Sequence, residues 1–226
     1  MAGTRVALDA LEVHHLRVRR AASGEPVRLL DGVGGVGSGT VEFGRKDATV
    51  TITSVHREPP PIPLVLAIGA GERDRFAWLV EKAAELGVTE IVPLDTEHTR
   101  GVASRIRQAQ VERFRRRTLE AIKQCGATWA PRVREPVELS AFAAEPHAGV
   151  RLVGAVDGRT PPPALGPDPV TIVVGPEGGL TAEERGLLAT AGFQPVRFGE
   201  HILRFETAAL AGAVYASIAR KRGRDG

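Results

Sequence analysis

The spacing of hydrophobic positions changes once along the chain. Before residue 59 they fall in short runs, and Val27–Leu30, Thr40–Phe43 and Thr49–Ser54 read as β-strands parted by glycine-rich turns. Residues 59–63 then read Pro-Pro-Pro-Ile-Pro. Proline fixes φ and has no N–H to donate, so this stretch is a stiff linker. Beyond it, apolar strands alternate with amphipathic helices. Leu64–Ile68 is a strand; Asp74–Leu86 is a helix capped by Asp74, with Leu79, Ala83 and Leu86 on one face and Gly87 at its end. Val88–Leu94 is the next strand and Ser104–Gln124 a long basic helix. Leu152–Val156 and Val170–Val174 are fully apolar, as strands buried on both faces are. Thr181 with Glu183 and Glu184 opens a helix in the manner of a capping box, Val196–Phe198 is a last strand, and Leu203–Ala219 a last helix. Short connections between alternating elements predict an α/β domain around a parallel sheet. The chain therefore divides into residues 1–60, a small β-barrel, and residues 61–226, the α/β domain.

Composition sharpens this in a few places. With 42% hydrophobic and 25% charged residues among 226, the chain has the make-up of an ordinary globular protein. Its single cysteine, Cys125, excludes an internal disulfide and a cysteine-cluster metal site. No apolar run approaches the ~20 residues of a membrane span. The first fifteen residues carry charges where a signal peptide is continuously apolar. The expectation is a soluble cytoplasmic protein without a metal or membrane. The net charge of +3 is small, but the positive charge is clustered. Seven arginines and one acidic residue, Glu112, lie between Arg100 and Arg117; Arg17, Arg19 and Arg20 form a second cluster, and the tail Arg220-Lys221-Arg222-Gly223-Arg224 a third. Such patches fit a phosphate backbone, or else solvated helix faces and a loose tail.

Three motifs have to be weighed. Gly32-Val33-Gly34-Gly35-Val36-Gly37 matches the dinucleotide fingerprint GxGxxG, but a strand follows it rather than a helix, which makes it a hairpin and argues against a nicotinamide enzyme. Adjacent His14 and His15 cannot both face one metal, and no other residues show ligand spacing. Thr171-Ile172-Val173-Val174-Gly175-Pro176-Glu177-Gly178-Gly179-Leu180-Thr181 is of another kind. A buried strand enters a loop of glycines and leaves it in a capped helix, an arrangement that brings backbone N–H groups and a helix N-terminus to a ligand. A second strand-to-helix loop, Phe198–Ala208, carries Arg204 and Glu206 at its helix start, and the two loops together would form one pocket.

With these two loops, the chain resembles the RsmE family of S-adenosylmethionine-dependent RNA methyltransferases of the SPOUT class. Gly175–Gly179 matches that family's GPEGG loop, Ile202–Ala208 its ILRxETA motif, and Lys82–Thr89 its KAxELGV segment. His14-His15 and Arg20 through Asp31-Gly32 are similar to the pattern of its PUA-like RNA-binding domain. The resemblance implies an α/β fold with a deep trefoil knot, a PUA-like β-barrel, a homodimer, and methylation of N3 of a uridine in 16S ribosomal RNA of the small subunit. It implies that S-adenosylmethionine is held by Val153, Val156, Val174, Gly175, Pro176, Glu177, Gly178, Gly179, Phe198, Gly199, His201, Ile202, Leu203, Arg204, Thr207 and Ala208. Arg204 would stabilise charge on the base, and Glu206 would orient Arg204, accept the proton, or only interact with the helix dipole. RNA would meet Arg5, His15, Arg17, Arg20, Arg115, Arg116 and Arg117. The chain departs from the family at Ala127 (in place of an arginine), at His98 in the segment Glu97-His98-Thr99, and at Phe205. The other readings are a SPOUT enzyme that methylates the ribose 2′-O and a non-catalytic RNA-binding assembly factor.

Overall fold

A computed structural model describes residues 3–69, 71–102 and 106–222. The expected helix start at Ser104 and the tail residues Gly223 and Arg224 lie outside the described residues. The chain forms two compact units, Met1–Pro60 and Pro61–Gly226.

The first unit is a four-stranded antiparallel sheet in the order β1–β4–β3–β2, from β1 (Arg5–Ala7), β2 (Pro26–Leu30), β3 (Gly35–Phe43) and β4 (Ala48–Arg57). A helix that the hydrophobic pattern does not predict, α1 (Ala10–Val18), precedes β2. Asp9 caps it by accepting from Glu12 N at 2.8 Å. Val13 of α1 and Val41, Val50 and Ile52 of the sheet form the core of the unit. The glycine run is a turn and a strand start: Asp31 Oδ1 accepts from Val33 N at 2.8 Å and Gly35 N at 2.7 Å, and β3 begins at Gly35. No helix follows it, as expected.

In the second unit the strands are β5 (Leu64–Gly69), β6 (Glu90–Asp95), β7 (Arg132–Val133), β8 (Val137–Glu138), β9 (Val150–Arg159), β10 (Val170–Val174) and β11 (Gln194–Val196). They form one sheet in the order β11–β9–β10–β5–β6–β7, with β8 also on β6, and every pairing is parallel. The helices are α2 (Arg73–Glu85), α3 (Gln108–Cys125), α4 (Leu139–Ala144), α5 (Ala182–Thr190) and α6 (Phe205–Arg222). Alternate strand residues face opposite layers: Leu66, Ile68 and Ile172 enter a core with α2, α3 and α6, whereas Ala67 and Val173 enter one with α4 and α5. α6 lies close on the sheet because Ala209, Ala213, Ala216 and Ala219, spaced at helical intervals, are almost fully buried.

Some boundaries differ from expectation for local reasons. Asp74 is a first-turn residue, not the cap, since α2 starts at Arg73. The strand predicted to end at Val156 continues to Arg159 through its pairing with Val196. The α6 helix starts at Phe205, so Leu203 and Arg204 belong to the loop. Among the described residues, no helix is long and apolar enough to cross a membrane.

Candidate functional site

At the carboxyl ends of β9, β10 and β11 the second unit opens a cavity of about 680 Å³. In an open parallel sheet this is where loops, freed from the strand ladder, gather around ligands. One wall is the extended end of β9, including Val153, Gly154 and Val156; another is the loop after β10; the third is the loop after β11.

Of the residues expected to hold a cofactor, Val153, Val156, Val174, Gly175, Pro176, Glu177, Gly179, Phe198, Gly199, His201, Ile202, Leu203 and Ala208 all line this cavity. Gly178, Arg204 and Thr207 do not. The cavity size is that of a site for a drug-sized or nucleoside-like ligand. Asp157, Arg185, Arg197 and Phe205 line it as well and were not anticipated. The rim is apolar where it is most open, with Val156 63% and Ile202 81% exposed.

The loop after β10 needs its glycines. Gly179 N donates to Pro176 O at 2.8 Å, and Gly179 sits at φ +73°. A Cβ on Gly175 would stand 2.9 Å from Leu180 Cγ, so a side chain there would push the loop off its own following residue. The sequence suggested that the next helix would offer unpaired N–H groups. Instead α5 closes its own end: Glu184 Oε2 accepts from Thr181 N at 2.8 Å, and Thr181 Oγ1 accepts from Glu184 N at 3.2 Å. The polar lining is left to the loop backbone and to the side chains at the rim.

The loop is braced from outside by a one-turn 3₁₀ helix, Glu97–Thr99, that follows β6. His98 Nδ1 lies 2.9 Å from Gly179 O, and Glu184 Oε1 accepts from Glu97 N at 2.8 Å.

Arg204 and Glu206 have different surroundings. Arg204 is exposed, and its guanidinium has no bonding partner among the described residues. Glu206 is only 8% exposed. Its Oε1 is 3.6 Å from Arg75 Nη1, and its Oε2 is buried without a hydrogen-bond partner. Arg75 is itself held by Glu72 Oε2 at 2.6 Å. The ion-pair partner of Glu206 is thus Arg75 of α2, not Arg204, which corrects one of the roles expected for Glu206.

The expected RNA-facing residues separate into engaged and free. Arg115 bonds Val133 O and Glu135 and is paired with Glu112, and Arg117 reaches Glu81 at 3.4 Å. Arg116 is exposed and, among the described residues, without a partner. In the first unit, Arg17 donates to the carbonyls of Gly44 and Arg45, while Arg5, His15 and Arg20 are exposed. Among the described residues no cluster of three or more His, Cys, Asp or Glu side chains is placed to hold a metal.

Comparison with known proteins places these features. Residues 58–217 match the family described as RNA methyltransferase domain, and residues 8–53 match the RNA methyltransferase PUA domain. The chain is 32% identical over 213 residues to a ribosomal RNA small subunit methyltransferase E of Synechocystis, spanning 90% of this chain and 69% of the relative. A Legionella pneumophila methyltransferase solved with bound S-adenosylmethionine has a TM-score of 0.80 at 29% identity, covering 94% of this chain and 91% of that one. A ribosomal RNA small subunit methyltransferase E from Neisseria gonorrhoeae, bound to S-adenosylmethionine, has a TM-score of 0.78 at 28% identity with the same coverage.

Proposed function

Since the chain belongs to the RNA methyltransferase domain family, with an RNA methyltransferase PUA domain ahead of it, we propose that it is an S-adenosylmethionine-dependent methyltransferase of small-subunit ribosomal RNA. The observation that carries this is the cavity: thirteen residues expected from the strand-end loops converge on one glycine-lined pocket of about 680 Å³. The finer reading is that the acceptor is N3 of a uridine in 16S ribosomal RNA, acted on in the cytoplasm. Residues 1–60 hold RNA, and residues 61–226 carry out the transfer as a homodimer with a trefoil knot. The exposed Val214 and Ile218 on α6 are consistent with a second copy packing there.

The residues present fit S-adenosylmethionine. The glycines shape the loops around it, since Gly175 and Gly199 carry no Cβ to press on Leu180 and Leu203 and Gly179 takes φ +73°, and Val153, Val174, Leu203 and Ala208 supply apolar walls. When bound, it supplies a methyl group made electrophilic by an adjacent sulfonium. The protein has two tasks around that group. It must align the acceptor nitrogen, and it must favour the negative charge that uridine gains on O2 and O4 when N3 loses its proton. Arg204, uncommitted where the loop enters α6, is suited to the second task. Glu206, buried and paired to Arg75, fits holding the turn that carries Arg204 better than it fits direct proton uptake. The target base sits in folded RNA and is unstacked to reach the pocket, with exposed arginines on the flanking phosphates.

Titration calorimetry with S-adenosylmethionine tests the cofactor half of this reading against a non-catalytic RNA-binding factor. Saturable one-site binding per chain is expected. No detectable binding, in the presence or absence of small ribosomal subunits, would overturn it.

A further inference from the structure

The segment Glu97-His98-Thr99 departs from the family pattern at His98, and the structure gives that side chain a specific task. His98 is exposed, so burial does not explain its place. Its Nδ1 is 2.9 Å from the carbonyl oxygen of Gly179. A carbonyl only accepts, so Nδ1 carries the proton and donates, which leaves Nε2 as the outward nitrogen. The ring also lies against Gly178: a Cβ added to that glycine would stand 3.0 Å from His98 Cγ, tighter than ordinary contact. One side chain therefore grips two consecutive glycines of the pocket loop. The turn that carries it is itself fixed, because Thr96 and Thr99 are buried in a reciprocal cap and Glu97 N is bound by Glu184 of α5.

A loop with three glycines in five residues has more backbone freedom to lose than an ordinary loop of its length. A ligand that needs one shape of it must bear that ordering cost unless the fold has already borne it. We propose that His98 is a positioning residue for the methyl donor: by donating to Gly179 O and packing on Gly178 it holds the Gly175–Gly179 loop in its binding shape before the donor arrives. This rests on the reading of that loop as the S-adenosylmethionine site. His98 acts through the loop alone, without touching donor or base.

The test compares His98→Ala with His98→Asn, whose side-chain amide nitrogen offers a donor close to where Nδ1 stands. Two readouts are used. Amide hydrogen exchange over residues 175–180 of the free protein needs no ligand; it is expected to speed up several-fold in His98→Ala and to return toward wild type in His98→Asn. Affinity for S-adenosylhomocysteine is expected to fall about 5- to 10-fold in His98→Ala, the loss of one net hydrogen bond, and to recover in His98→Asn. In turnover the loss should appear in KM for S-adenosylmethionine, with kcat at saturation within about twofold. Unchanged exchange in His98→Ala overturns the proposal, as does an Asn variant as loose as the Ala variant. If exchange responds as stated but wild-type protein does not bind S-adenosylhomocysteine, the bracing stands as a loop effect while both the donor site and the role of His98 in it are overturned.

Discussion

Two charged residues at the start of α6 point in different chemical directions. Arg204 is unpaired among the described residues, so its charge is available to a ligand; Glu206 is buried against Arg75. Arg204→Ala should keep the affinity for S-adenosylmethionine within about twofold and lower kcat by on the order of 10²-fold, the usual cost of removing one donor aimed at developing charge. A variant with full kcat would remove Arg204 from the mechanism. Arg75→Ala is expected to destabilise the protein by ~3 kcal/mol, because it leaves the buried Glu206 carboxylate uncompensated, and chemical denaturation reads this directly. The sequence could show that arginine and glutamate flank Phe205 at a strand-to-helix loop. It could not show that the partner of Glu206 lies on α2, more than a hundred residues earlier.

Among the elements, α3 shows how a basic helix is divided by its packing. Val111, Phe114, Thr118, Ala121 and Ile122 are buried, and Phe114 meets Phe76 of α2 with ring centroids 5.1 Å apart. Arg113 and Arg116 are exposed, whereas Arg115 and Arg117 are drawn into ion pairs. The double substitution Arg113→Glu and Arg116→Glu should weaken RNA binding and lower the slope of log K against log salt by ~0.7–0.9 for each phosphate that is no longer neutralised. Arg117→Ala should leave that slope nearly unchanged. Equal slopes in wild type and the double variant would assign RNA binding to other elements. Periodicity made α3 legible, as it did α2 and α6. It missed α1, which is nine residues long and buries only Val13 fully, so its stripe is too thin to register. The signal that was present is Asp9 with Glu12 three residues on, an N-terminal cap pattern. The strands β7 and β8 are two residues each and leave no periodic trace.

In the molecule as a whole, the parallel sheet and its two helical layers were readable because apolar strands alternated with amphipathic helices. The pocket was readable because two loops of unusual composition follow parallel strands, β10 and β11, that flank β9. The bracing that follows β6 was not legible in the sequence, where His98 shows only as a departure from the family pattern, since it joins residues 81 positions apart through a ring nitrogen and a backbone carbonyl. Stability of the folded chain should depend on pH in one direction on the acid side. Glu145 is held below the usual carboxylate range by its bonds from Arg134, at 2.6 and 2.8 Å, and Asp31 by backbone N–H donors led by that of Val33. Carboxylates lowered in the folded state stabilise it above their unfolded pKa of about 4, and that contribution is lost as pH falls through the lower folded value. Urea midpoints should therefore be flat from neutrality to about pH 5 and fall below about pH 4, and Glu145→Gln should flatten that fall. A midpoint that rises on acidification would contradict these assignments.

Whether the pocket directs a methyl group to a base of small-subunit ribosomal RNA can be read from transfer of label out of methyl-labelled S-adenosylmethionine. Small ribosomal subunits and naked ribosomal RNA would each be incubated with the enzyme and digested to nucleosides. Label is expected in N3-methyluridine, with wild-type protein and not with Arg204→Ala. Label in a ribose-methylated nucleoside, or none in either RNA, would refute the assignment.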